Sequence, residues 1–162
     1  MTLMQDVPQN PVTGISVTQL PENLNILATR DCAAVIWQRQ PLPDFQTWID
    51  GLGPDILPSV RLILEPQDVA TVLSEICDAS SVVDRAYWLY LIKDIAELSH
   101  LFCDLMAAPY MRLRLEPITS NACRRFHIDA ITARLVCTYR GTGTQFGISQ
   151  DGAEPERIFT VP

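Results

Sequence analysis

An α+β fold, with an antiparallel β core packed against a helical hairpin, is predicted by three features of the sequence. Strand-like segments stand before and after a pair of helix-like ones, whereas a doubly wound parallel sheet would alternate the two types. Residues 110–116 alternate, with Met111, Leu113 and Leu115 on one side and Arg112, Arg114 and Glu116 on the other, which is the period of a half-buried strand. Residues 83–107 place Leu91, Ile92, Ile95, Leu98, Phe102 and Leu105 on one helical face, opposite Lys93, Glu97, His100 and Asp104.

Residues 1–24 carry Pro8, Pro11 and Pro21 among Gln, Asn and Thr without periodicity, and are expected to form an irregular N-terminal arm. Residues 25–162 are expected to form a single α+β domain. In it, the apolar run Cys32–Trp37 predicts a buried strand. Pro43 and Asp44 open a short helix whose Phe45, Trp48, Ile49 and Leu52 share a face, closed by Gly51 and Gly53. Val60–Leu64 predicts another strand. Pro66 begins a helix ending near Ala79, in which Val69, Val72, Leu73 and Ile76 recur at helical spacing and Asp68 suits the first turn. Pro109 stops the long helix that follows, and the two helices make the hairpin. After the alternating strand, Pro117–Ala122 predicts a loop, Arg134–Tyr139 a strand, and Gly141-Thr142-Gly143-Thr144 a tight turn.

The balance of 12 basic against 19 acidic residues gives a net charge of −7. A nucleic-acid or anionic-membrane surface would need a basic stripe, so neither partner is expected. The expected partner is a small molecule or a protein, with homo-oligomerisation through an open sheet edge as one route. Charged residues make up only 19% and hydrophobic ones 48%, the composition of a chain that folds. Cysteines at 32, 77, 103, 123 and 137 are odd in number and form no C-x-x-C pair, which argues for reduced thiols and a cytoplasmic location. The opening MTLMQDVPQNP lacks the charge and apolar run of a signal peptide, and no run reaches the length of a membrane span.

The stretch Cys123–Phe146 gathers a thiol, an imidazole and a carboxylate at Cys123, His127 and Asp129. If residues 126–129 are extended, His127 and Asp129 point to one face about 7 Å apart, close enough to meet at a single ion. With Cys123 as third ligand the set favours zinc. Without it, imidazole and carboxylate fit a non-haem iron site. The bland alternatives are a hydrogen-bonded His–Asp pair or two exposed loop residues. Cys123 is equally open to burial, or to a lowered pKa beside Arg124 and Arg125. Arg112, Arg114 and Arg134 suit an anionic substrate if they line a pocket, and otherwise are solvated or paired. Arg134, Arg114 and Tyr139 are the substrate-side candidates. Catalytic residues are not identified, and a hydrolase triad has no support.

The residues Cys123, Phe126, His127, Asp129, Arg134, Leu135, Thr138, Tyr139, Gly141, Gly143 and Thr144, with the earlier Ala34-Val35-Ile36-Trp37-Gln38-Arg39, resemble a bacterial family, the domain of unknown function 1826. The resemblance spans about residues 30–150. The family's His-x-Asp segment is in turn similar to the start of the 2-oxoglutarate and iron oxygenases. That likeness implies an incomplete double-stranded β-helix, an iron or zinc ion on His127 and Asp129, and 2-oxoglutarate as a co-substrate. Those oxygenases carry a second His downstream, and none follows His127 here. A chain truncated at its C-terminus relative to them, or one that has lost the closing ligand, is therefore expected. The resemblance further implies a link to zinc homeostasis. The expected function is that of a cytosolic metal-binding, oxygenase-like protein using His127 and Asp129; the alternative is a non-catalytic accessory or binding module linked to metal homeostasis.

Overall fold

A computed structural model of the chain describes residues 14–29, 32–78, 84–120, 125–127, 131–148, 155 and 157–160. In chain order the elements are β1 (Ile15–Thr18), a 3-10 helix (Pro21–Ala28), β2 (Ala34–Trp37), α1 (Pro43–Gly51), β3 (Val60–Leu64), a 3-10 turn (Pro66–Asp68), α2 (Val69–Asp78), α3 (Arg85–Met106), β4 (Met111–Leu115), β5 (Gln145–Ile148) and β6 (Arg157–Thr160). This is an α+β composition, as the strand–helix–strand order predicts. The strands pair two by two, β1 with β2 in parallel, β3 with β4 and β5 with β6 antiparallel. No helix among the described residues is long and apolar enough to cross a membrane.

Two compact units are separable, one drawn from residues 1–41, 126–128 and 136–162, the other from 42–125 and 129–135. In the first, β1 and β2 run in register from Ile15 opposite Ala34 to Thr18 opposite Trp37. Parallel neighbours need a crossover of a dozen residues or so, and the 3-10 helix between them supplies it. Thr18 organises the start of that crossover. Its buried Oγ1 accepts hydrogen bonds from the Leu20 N–H at 3.0 Å and from Asn23 Nδ2 at 3.1 Å. Trp37 Nε1 in turn donates to the Gln19 carbonyl at 3.2 Å. Strand β1 lies inside the stretch 1–24 that the sequence marks as irregular. Four residues are too few to show a period, and the strand exists because β2 pairs with it.

The second unit holds the larger apolar core. From α1 come Phe45 and Ile49, from α2 Val69, Leu73 and Cys77, and from α3 Trp88, Leu91, Ile92, Ile95, Leu98 and Cys103, all buried. Val69 and Leu73 are completely enclosed. Aromatic rings join α1 to α3: Phe45 to Tyr90 with centroids 4.7 Å apart, and Trp48 edge-on to Trp88 at 5.2 Å. Such pairs add about 0.5–1.5 kcal/mol beyond the area they bury. The expected polar stripe of α3, Lys93, Glu97, His100 and Asp104, is exposed. The buried stripe differs at its end, where Cys103 is enclosed and Phe102 and Leu105 are half-buried. Met111 and Leu113 of β4 are buried and Arg112 and Arg114 exposed, in line with the alternation in the sequence.

Arg134–Tyr139 is not a strand: residues 133–138 have no regular structure. Arg134, Leu135 and Val136 are all exposed, so the two-residue alternation that a half-buried ladder requires is missing. The β-forming residue types are there, but no described strand pairs with them. The strand expected after the motif lies instead past the glycine-rich turn, at β5, whose partner is β6.

Candidate functional site

Phe126 and His127 lie in the first unit, in a segment without regular structure, and both are exposed. Cys123 and Asp129, the other two predicted ligands, lie outside the described residues. Among the described residues no group of three His, Cys, Asp or Glu side chains is placed to hold a metal ion.

What fixes Phe126 is visible. Its ring lies against the backbone of Gly147 on β5, where an added Cβ would stand 3.2 Å from Phe126 Cε1. Pro155 presses on the same glycine, at 2.6 Å from that Cβ position. The residue just before His127 is thereby packed onto the β5–β6 hairpin. The turn leading into β5 contains Gly141 at φ +77, a conformation that side chains disfavour.

The two segments that carry the resemblance meet in this unit. Arg39, just past β2, lays its guanidinium over the Trp37 ring, 5.2 Å from the centroid. The same guanidinium donates from Nη1 to Cys137 Sγ at 3.6 Å. Cys137 and Tyr139 are both half-buried, and Tyr139 begins the bend before Gly141. Cys137, inside the expected strand Arg134–Tyr139, is thus an unstranded thiol facing an arginine. Among the described residues, Cys32, Cys77, Cys103 and Cys137 form no disulfide with one another.

Of the substrate-side candidates, Tyr139 belongs to the first unit, and Arg134 and Arg114 to the second. Arg134 is exposed. Arg114 is exposed on β4 and makes an ion pair with Glu116, two residues along the strand. Directly across the ladder from Arg114 stands Arg61. Arg61 is not visible as a candidate in the sequence, because a single arginine in an apolar strand carries no signal until the register of its partner is known. Arg39 was also missed as a side chain with its own contacts, although it closes the run Ala34–Arg39.

Residues 18–158 match a family described as protein of unknown function (DUF1826). No curated protein and no solved structure matches the chain.

Proposed function

Because this chain belongs to the DUF1826 family, we propose that it is a metal-binding protein in which His127 and Asp129 ligate one divalent cation, iron or zinc, with Cys123 as an optional third ligand. The observation that carries the reading is the junction in the first unit, where Arg39 from one motif segment meets Cys137 from the other. It draws both segments together in the unit that holds an exposed His127.

The donor set fits such an ion. Imidazole, carboxylate and thiolate together suit zinc, while imidazole and carboxylate with open positions suit iron. When bound, the metal supplies activation of dioxygen or polarisation of a substrate oxygen. In the oxygenase-like form of the proposal, 2-oxoglutarate would be oriented through the hydroxyl of Tyr139, which lies in the same unit as His127. The β5–β6 hairpin after the glycine turn is the piece of the fold that would belong to a double-stranded β-helix. Arg114, engaged by Glu116 on an exposed ribbon, suits a broad surface better than a pocket. Described cysteines that form no disulfide with one another agree with a cytoplasmic setting.

Elemental analysis of tag-free protein, with His127→Ala and Asp129→Ala beside it, tests the proposal. Near-stoichiometric iron or zinc in the parent should disappear in both variants while circular dichroism is unchanged. Metal retained by both variants, or no metal in the parent after reconstitution, would refute it. A second reading, a non-catalytic accessory module linked to metal homeostasis, is favoured by the exposed arginine pair Arg61 and Arg114.

A further inference from the structure

The outer face of the β3–β4 ribbon is used by no part of the metal reading. Antiparallel register sets Arg61 opposite Arg114 and Ile63 opposite Arg112. Residues directly opposite share a face, with Cβ atoms about 5 Å apart. All four side chains are exposed, Ile63 to 67%. The alternate residues of β4, Met111 and Leu113, are buried. This narrow face therefore concentrates three of the chain's 12 basic residues in a protein of net charge −7.

Like charges directly opposite destabilise a sheet, so the arrangement costs stability unless something answers it. Glu116 answers Arg114 alone. Among the described residues neither Arg61 nor Arg112 has an ion-pair partner. All the basic residues of the chain except Lys93 are arginine, whose planar fork binds carboxylates in pairs of hydrogen bonds. Arg112 and Arg114 stand two residues apart on one strand, about 7 Å, which is also the spacing of alternate side chains along any extended chain. Ile63 puts an apolar surface among them.

We propose that this face docks an extended acidic segment of a protein partner, with alternate carboxylates held by Arg112, Arg114 and Arg61 and an apolar side chain seated on Ile63. A phosphate backbone would complement the arginines but leave Ile63 without a contact, and beyond the ribbon it meets a chain of net negative charge. Charge complementarity with an apolar centre favours the peptide.

The test is fluorescence anisotropy with a labelled ten-residue peptide, designed with Glu at alternate positions and one Leu among them. A single-stranded DNA ten-mer serves as competitor. Saturable binding that weakens with salt is expected. Arg112→Gln should reduce affinity about threefold or more, and the Arg61→Gln/Arg112→Gln pair about tenfold. Ile63→Thr should weaken it by an amount that salt does not change. Lys93→Gln, which removes the same charge from α3, should leave binding as in the parent. Absence of saturable binding would overturn the proposal, as would equal loss in Lys93→Gln. Preference for DNA over the peptide would assign the face to nucleic acid and overturn it too. All these side chains are exposed, and a far-UV spectrum confirms that each variant folds.

Discussion

The ring of Phe126 lies on Gly147 so closely that a Cβ there would stand 3.2 Å from its Cε1, which ties the residue before His127 to strand β5. Gly147→Ala must push aside Pro155 as well, because the new methyl would sit 2.6 Å from Pro155 Cβ. Overpacking of this kind costs about 1–3 kcal/mol. A urea melt should show that loss. If the proposed site is right, metal affinity should fall alongside, since Phe126 can no longer hold its neighbour in place. Phe126→Ala added to Gly147→Ala should recover only part of the stability, because the tighter contact is with Pro155. Full recovery would show that Phe126 alone limits the space.

Thr18 closes a different local structure. Its Oγ1 takes the N–H of Leu20 and the amide of Asn23, holding the turn into the 3-10 helix. Thr18→Val keeps the shape and removes the acceptor, leaving the part-buried donors of Leu20 and Asn23 without it. The expected cost is about 1–3 kcal/mol. Exchange of the Leu20 amide hydrogen should accelerate at the same time; slow exchange in the variant would mean that the backbone, not Oγ1, holds the turn.

These two contacts also mark where the sequence was legible and where it was not. The second unit was readable because its signals are local. Periodicity placed α1, α2 and α3, and the alternation of Met111 to Leu115 placed β4 with the correct faces. The first unit depends on partners distant in sequence. The four residues of β1 become a strand through Ala34–Trp37, and β5 through β6. Arg134–Tyr139 has the residue types of a strand and no ladder to join. At the site, His127 and the Arg39 segment were visible as motif residues. Their setting, Phe126 on Gly147 and Arg39 on Cys137, has no local signal: Arg39 and Cys137 stand 98 residues apart in the chain, and Phe126 meets Gly147 from before the glycine-rich turn.

Helix α3 ends in a Schellman arrangement, with Ala108 N–H bonded to the Cys103 carbonyl at 2.9 Å and Ala107 N–H to Asp104 at 3.2 Å. Ala107 adopts φ 47, ψ 41 to make it. That left-handed conformation costs a residue with a Cβ about 1 kcal/mol, and glycine is free of the cost. Ala107→Gly should therefore stabilise the protein by up to about 1 kcal/mol, reduced by the extra chain entropy that glycine adds to the unfolded state. A lowered urea midpoint would mean that the entropy term dominates.

Cys103, one turn before that cap, gives an alkaline test. Burial pushes its thiol above the ordinary value of 9.0, and the carboxylate of Asp104 adds to the shift. The folded protein therefore keeps the thiol proton at pH values where the unfolded chain has lost it. Between the two pKa values the folded state binds more protons, so stability falls as pH rises. Below 9.0 the contribution is intact, and it is lost on going upward from there. Other groups titrate in the same range, so the variant matters more than the parent curve alone. Cys103→Ala removes the ionisable group, and its loss of stability relative to the parent should be largest near pH 7 and shrink at pH 10. Urea midpoints for both proteins at the two pH values measure this. Parallel curves would show that the thiol of Cys103 titrates alike in the folded and unfolded chains.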